Sequence, residues 1–317
     1  MSKNYLIYLP QDIAETGKRY LQEKGYVLRI GTASDEDTML RESSDADGIL
    51  VRTAKVTRAI IEHAPRLRVI SRHGAGVDNI DVEAALEHGI YVTNGPESNT
   101  NAVAEHVAAF VLACAYHIPI LNSAVRRGDW DIRDRLRMTE ISGKQVGFIG
   151  FGRIGQLAAQ KLHDGFGMRI IAWSPHIAEK KLPMWVEKAS SMEEVLKNAD
   201  FVSLNCPASE HNHHMINQER LALMKPEAFL INCGRGALVD ESALTEALRG
   251  GMIGGAALDC LETEPPAVDH ALFKLENVIL SPHCSSHSPE TFNRMALHAA
   301  MGIDEVLSGK PITWRVD

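Results

Sequence analysis

Residues 144–155 (KQVGFIGFGRIG) constrain the fold more than any other stretch of the chain. The apolar run over 146–149 predicts a buried strand. Gly150, Gly152 and Gly155 follow at the spacing G-x-G-x-x-G, a helical pattern runs over 156–162, and a second strand pattern covers 168–173. In such a strand–turn–helix–strand unit each glycine has a physical task. The first permits a tight turn, the second lets backbone approach a pyrophosphate, and the third allows close helix–strand packing. The helix start beyond them points N–H donors and a positive dipole end at the phosphates. Alone the glycine spacing is weak, because glycine-rich turns are common. In this context it predicts a dinucleotide site on a doubly wound α/β sheet.

The rest of the chain fits that class. Residues 4–95 alternate strand patterns (5–9, 26–30, 48–52, 68–71, 90–93) with helical ones (11–24, 57–63, 82–88), the spacing of parallel βαβ units. Residues 99–118 (NTNAVAEHVAAFVLACAYHI) predict one helix that is apolar nearly all round after Glu105. Such a helix has to be buried, and a second domain and a second subunit are both expected to cover it. Residues 119–130 read as a further helix ending at Gly128, and 131–140 as a polar loop. From Lys144 a second series places strands at 146–149, 169–173, 201–204, 229–232, 255–258 and 278–280, with helices between them at 191–198 and 242–250. A last helix over 289–308 lies beyond that sheet. The expected fold class is therefore two doubly wound parallel-sheet domains. The first (1–98 plus 288–317) is discontinuous and completed by the C-terminal helix, and the second spans 99–287.

A chain of 317 residues has ample core for two domains. A net charge of −8 with no basic stripe argues against nucleic-acid binding. No run is long enough to span a bilayer, and the N-terminus reads as a first strand rather than a leader. The five cysteines are scattered without C-x-x-C or zinc spacing, which suggests reduced thiols in the cytoplasm. His211, His213 and His214 sit in a polar loop without a carboxylate at ligand spacing. They read as surface, and no metal site is expected.

Open α/β sheets bind ligands beyond the carboxyl ends of their strands. Three such loops, 232–236 (NCGRG), 259–265 (DCLETEP) and 281–286 (SPHCSS), bring an arginine, a carboxylate and a histidine to adjacent strand ends. An arginine suits a substrate carboxylate, and a histidine paired with a carboxylate suits proton transfer near neutral pH. On residue type alone His283 is equally a strand-end histidine satisfied by backbone, Glu264 a solvated turn residue, Arg235 a surface cap and Asp259 a structural cap.

Six motifs in order, RHGAGVDNID (72–81), NTNAVAEH (99–106), GFGRIG (150–155), NCGRGALVDE (232–241), ALDCLETEPP (257–266) and SPHCSSH (281–287), resemble the D-2-hydroxyacid dehydrogenases. The similarity is to the branch with D-3-phosphoglycerate dehydrogenase and hydroxypyruvate or glyoxylate reductase, and it covers nearly the whole chain. It implies two Rossmann-like domains and hydride transfer between C4 of a nicotinamide and C2 of a small 2-oxo or 2-hydroxy acid. It implies His283 as the acid–base residue, Glu264 as the partner that raises its pKa, and Arg235 as the group that orients the substrate. The N–H groups of Ala75 and Gly76, with Arg52 nearby, are implied for the substrate carboxylate. For the cofactor it implies Gly150, Gly152, Arg153, Ile154 and Gly155 at the pyrophosphate, Cys206 and Pro207 at the adenosine, Cys233, Gly234 and Asp259 at the nicotinamide, and Ser286 as a further contact. A homodimer through 99–118 is expected.

Two departures matter. Where an NAD enzyme carries Asp or Glu for the ribose hydroxyls, this chain has Ser174, with His176 and Lys180 near. Without that carboxylate a 2′-phosphate is not repelled, so NADP is slightly favoured over NAD. The chain also ends soon after Pro311, so regulatory domains and feedback through them are not expected. Arg52, Lys55, Arg58, Arg72 and His73 give the first domain a basic rim that suits a second anionic group, which favours a phosphoglycerate-like substrate. Glyoxylate or hydroxypyruvate reduction is the alternative. A pairing of glutamine with histidine, as resembled by formate dehydrogenases, is disfavoured by Glu264. A different class, a dinucleotide-sensing corepressor-like protein, shares the fold but has no need of Arg235, Glu264 and His283 together.

Overall fold

The computed structural model describes residues 5–175 and 182–316. The chain divides into two compact units, Met1–Thr100 with Ser286–Asp317, and Asn101–Ser285.

Unit one opens with β1 (Leu6–Leu9), α1 (Glu15–Glu23), β2 (Val27–Ile30), α2 (Glu36–Ser43), β3 (Gly48–Val51), α3 (Arg58–His63), β4 (Val69–Arg72), α4 (Val82–Glu87) and β5 (Tyr91–Thr93). Its sheet has the order β13-β5-β4-β3-β1-β2, where β13 (Arg315–Val316) pairs antiparallel with β5 and every other pairing is parallel. β3 is buried along its whole length, which is why it reads as an unbroken apolar run. The helix α2 goes beyond the sequence reading. It holds only two large apolar side chains, Met39 and Leu40, and so gives almost no periodicity. Asp35 nevertheless caps it by accepting from the Thr38 N–H at 3.0 Å. The first helix is shorter at its start than expected, because residues 12–14 are irregular, with Ala14 at φ −59° and ψ 145°, and the helix begins at Glu15.

The helix α12 (Pro289–Ser308) completes unit one from the other end of the chain. Ser288 caps it, Pro289 occupies its first turn, and Gly309 ends it in the left-handed region at φ 71°. It lies on α1 and across β3, β4 and β5. A Cβ at Gly17 would stand 2.6 Å from the Ala296 carbonyl oxygen, so that glycine sets how closely α1 and α12 approach. Ser71 donates to the Ala299 carbonyl at 2.8 Å, tying the helix to β4.

Unit two contains α5 (Thr100–Ala115), α6 (Ile118–Arg126), α7 (Ile132–Arg135), β6 (Gln145–Ile149), α8 (Arg153–Phe166), β7 (Arg169–Trp173), β8 (Val186–Lys188), α9 (Met192–Asn198), β9 (Phe201–Leu204), α10 (Gln218–Leu221), β10 (Phe229–Asn232), α11 (Glu241–Arg249), β11 (Gly255–Leu258) and β12 (Val278–Leu280). The sheet runs β12-β11-β10-β9-β6-β7-β8, all parallel. Order reverses between β6 and β9, and the glycine loop leaves β6 at that switch point.

The predicted single helix over 99–118 is two helices. Chain direction changes by 56° between α5 and α6, with His117 in the left-handed region at φ 48°. Pro119 explains the break, since it offers no N–H and its ring collides with the preceding turn of a continuous helix. The apolar face of α5 is covered within unit two itself: Val107, Phe110 and Val111 join a core with Phe148, Ala158 and Phe201. Among the described residues, no single helix is long and apolar enough to cross a membrane.

Candidate active site

The glycine loop fits a dinucleotide pyrophosphate, and the fit is legible atom by atom. Gly150 has φ 87°, and a Cβ there would lie 2.8 Å from the main chain of Asn205 and Cys206. At Gly155 a Cβ would lie 2.7 Å from the Gly150 carbonyl oxygen. Gly152 differs, for a Cβ there would meet nothing within 4 Å, which marks the open side of the turn. Gly152 is also the N-cap of α8 and supplies no side-chain cap, so the positive helix end, where Arg153 and Ile154 begin, is left for an anion. Ser174 follows β7 directly, and among the described residues no carboxylate follows that strand before Pro175. His176 and Lys180 lie outside the described residues.

Three strand ends carry the chemistry. Beyond β10, the Asn232 side chain folds the turn by donating to the Arg235 carbonyl at 2.8 Å and accepting from the Gly234 N–H at 3.0 Å. Arg235 Nη1 donates to the Gly234 carbonyl at 2.8 Å. A Cβ on Gly236 would overlap the main chain of Leu261 and Glu262. That glycine therefore lets the loop after β11 lie directly against the Arg235 turn. Beyond β11, Glu264 Oε1 accepts from the Leu261 N–H at 3.0 Å. Its Oε2 meets Nδ1 of His283, beyond β12, at 2.8 Å. Both side chains are partly open to solvent.

The hydrogen bond that His283 Nδ1 donates to Glu264 raises the His283 pKa. Burial acts against this with a smaller effect, the negative charge of Glu264 adds to the rise, and Arg235 lowers it. For Glu264, burial pushes upward, yet the His283 hydrogen bond and charge with the Leu261 N–H hold its carboxyl below the usual range. With Nδ1 engaged, Nε2 is the ring nitrogen left to exchange a proton. His283 has φ 49°, and its N–H donates to the Asp259 carbonyl at 2.7 Å, so its unusual conformation is held by main chain.

Asp259 is 1 % exposed. Its Oδ1 accepts from Ser281 Oγ at 2.5 Å and from the Cys284 N–H at 2.9 Å, and its Oδ2 accepts from the Ser285 N–H at 3.0 Å. These bonds make it a cap of the His283 loop, one of the two readings open in the sequence. His106 Nε2 stands 3.1 Å from Ser281 Oγ and extends this network. Asn232, His106 and Ser281 carry no signal of their own in the sequence beyond lying inside NCGRGALVDE, NTNAVAEH and SPHCSSH. A cavity of about 540 Å³ beside His283 and Glu264 is walled by Leu261, Pro265, Phe273 and Leu280. Cys206 and Cys233 follow β9 and β10, and burial pushes both thiols above their usual range. Pro207 follows Cys206, and its carbonyl accepts from Asn212 at 2.8 Å.

In unit one, the carbonyls of Gly74 and Ala75 accept from the Gly95 N–H at 2.8 Å and from Asn94 Nδ2 at 2.7 Å. Among the described residues no group accepts from the N–H of Ala75 or Gly76. Arg52 donates to the Asp12 carbonyl at 3.0 Å and lies over the Phe292 ring. Ser286 is half-buried where the second segment of this unit begins. The expected basic rim is weaker than its composition suggests. Arg58 is paired with Glu87 at 2.6 Å, Arg72 is bonded to Asn79, and His73 is buried and held neutral, its pKa pushed to about 3 by burial and by Arg52 and Arg72. The histidine loop also differs from its reading as a plain surface. Glu262, 48 residues away in sequence, comes into hydrogen-bond contact with His214.

Residues 108–285 match the family described as D-isomer specific 2-hydroxyacid dehydrogenase, NAD binding domain. The chain is 42 % identical over 306 residues to a D-3-phosphoglycerate dehydrogenase of Methanocaldococcus jannaschii, covering 96 % of this chain and 58 % of that relative. It therefore spans little more than half the length of that relative. It is 39 % identical over 303 residues to a glyoxylate reductase of Pyrococcus furiosus, covering 92 % of this chain and 88 % of that one. Among solved structures, a Thermus thermophilus protein superposes with a TM-score of 0.91 at 33 % identity, covering 98 % of this chain and 100 % of that one. An NADPH-dependent glyoxylate/hydroxypyruvate reductase of Sinorhizobium meliloti, solved with NADP and malonate, does so at 0.87 and 28 % identity, covering 99 % and 97 %. These matches give the glycine loop a nicotinamide cofactor, and with the strand-end site they establish that the chain belongs to the D-isomer specific 2-hydroxyacid dehydrogenase family.

Proposed function

We propose that this chain is an NAD(P)-dependent oxidoreductase acting at C2 of a small D-2-hydroxy or 2-oxo acid, related in activity to phosphoglycerate dehydrogenase. The observation that carries this reading is the 2.8 Å pairing of His283 with Glu264 beside the Arg235 turn. The bound nicotinamide supplies or accepts the hydride at its C4. His283 delivers a proton from Nε2 to the C2 oxygen in reduction and removes it in oxidation. Glu264 keeps Nδ1 engaged and stabilises the imidazolium. Arg235 orients the carboxylate and carbonyl of the acid. The family resemblance adds the amides of Ala75 and Gly76, and Arg52, as the groups of unit one proposed for the substrate carboxylate.

A glyoxylate or hydroxypyruvate reductase is the second reading. The neutralised rim around Arg58, Arg72 and His73 favours it, since a phosphorylated substrate asks for free cations. The absence of a carboxylate at Ser174 favours NADP over NAD. Exposed Ile118, Val125, Trp130 and Met138 support a homodimer formed around α6 and the segment after it, and five free thiols support a cytoplasmic location.

The test is nicotinamide absorbance with NADPH and NADH against hydroxypyruvate, glyoxylate and phosphohydroxypyruvate, with His283→Ala as control. Turnover that disappears in the control is expected, and the preferred acid separates the two substrate readings. Tight dinucleotide binding with no turnover of any of these acids would overturn the enzymatic reading in favour of a dinucleotide sensor.

A further inference from the structure

The histidine pair that the site chemistry leaves unused sits where two loops of unit two meet. We infer that His213, His214 and Glu262 form a binding site for a divalent transition-metal ion such as Zn²⁺. One ligating atom from each lies within 4.8 Å of the other two. A zinc ion with Zn–N and Zn–O distances of about 2.0–2.2 Å needs its ligands about 3–3.5 Å apart, within reach of side-chain rotation alone. Two imidazoles and one carboxylate suit Zn²⁺, Ni²⁺ or Co²⁺ rather than Mg²⁺ or Ca²⁺, which take oxygen ligands.

Main chain holds the ligands ready. On one side Ser209 and Asn212 cap each other and Asn212 Nδ2 donates to the Pro207 carbonyl at 2.8 Å. His214 has φ 51°, a conformation unusual for histidine, and its N–H donates to the Ala237 carbonyl at 2.8 Å. On the other side the Glu262 N–H donates to Glu241 Oε1 at 2.7 Å, and Glu241 is itself bonded to His270 at 3.0 Å. The open space that Gly236 leaves admits the Glu262 main chain. Two loops are thus fixed so that two imidazoles and a carboxylate converge, the preorganisation that a metal site requires. An ion there clasps the loop after β9 to the loop that carries Glu264.

The experiment titrates the metal-free full chain with Zn²⁺ alone in a calorimeter, and with Co²⁺ followed by visible absorption. One equivalent per chain is expected, without thiolate charge-transfer bands, and with a rise in thermal midpoint that chelator reverses. His213→Ala, Glu262→Gln and His214→Asn, the last keeping a residue that tolerates positive φ, should each weaken Zn²⁺ binding by about tenfold or more, since even outer-shell losses have that effect. His211→Ala and His283→Ala should bind as the parent does. Absence of saturable one-equivalent binding overturns the inference. So does binding that survives Glu262→Gln in a variant with an unchanged chelator-treated midpoint, or binding lost in His283→Ala.

Discussion

Replacing Asp259 by alanine separates a positioning role from a cofactor contact. The carboxylate is 1 % exposed and accepts three hydrogen bonds from the His283 loop, at 2.5, 2.9 and 3.0 Å. Bonds to a charged group contribute about 1.5–3 kcal/mol each. They share one carboxylate, Ser281 can turn toward His106, and removing the charge relieves its desolvation, so the loss does not reach the full sum. A net cost of about 3–5 kcal/mol follows, because two amides lose their acceptor in a half-buried loop. Urea unfolding followed by tryptophan fluorescence reports it, since Trp130, Trp173 and Trp185 lie in the same unit. Loosening the loop misplaces His283, so kcat should fall about tenfold to a hundredfold. The dissociation constant for NADPH should change by less than about threefold, under 1 kcal/mol. A stability change below about 1 kcal/mol, or a defect confined to NADPH affinity, would refute the positioning argument.

Further expectations follow from the same geometry. Glu264→Gln removes the group that raises the His283 pKa. His283 then loses its proton at lower pH, so the alkaline fall in kcat/KM for 2-oxo acid reduction moves to lower pH, and a limb that stays put would show that Glu264 does not tune it. Gly236→Ala forces the Leu261 main chain away from the Arg235 turn and should cost about 1–3 kcal/mol of stability with loss of turnover. A thermal midpoint equal to the parent's would count against the close approach. Ser174→Asp restores a carboxylate beyond β7 and should raise the KM for NADPH relative to NADH by about tenfold. Equal KM ratios in parent and variant would place the 2′-position elsewhere.

Much of this molecule is determined by local sequence. Strands buried on both faces of a parallel sheet are near-continuous apolar runs, so residues 201–204, 229–232 and 255–258 announce β9, β10 and β11 without help from the rest of the chain. The positive φ of Gly150 and the bare N-cap at Gly152 are likewise written in the glycine spacing. Weakly apolar elements escape such reading. The helix α2 is set by its cap more than by its stripe, and the short edge strands β8 and β13 exist only because β7 and β5 offer them partners. The break at His117 shows that a proline overrides apolar continuity.

Tertiary structure alone decided which polar groups meet. Asp259 holds the His283 loop through three donors that arrive from 22 to 26 residues away, a role that residue type does not show. The basic rim of unit one lost Arg58 to Glu87 on another helix. His214 acquired its carboxylate from 48 residues downstream, across a gap that only Gly236 permits. The physical reason is common to all three. Backbone conformation depends on neighbours along the chain, whereas a polar side chain takes its role from whichever partner the packed fold brings within about 3 Å.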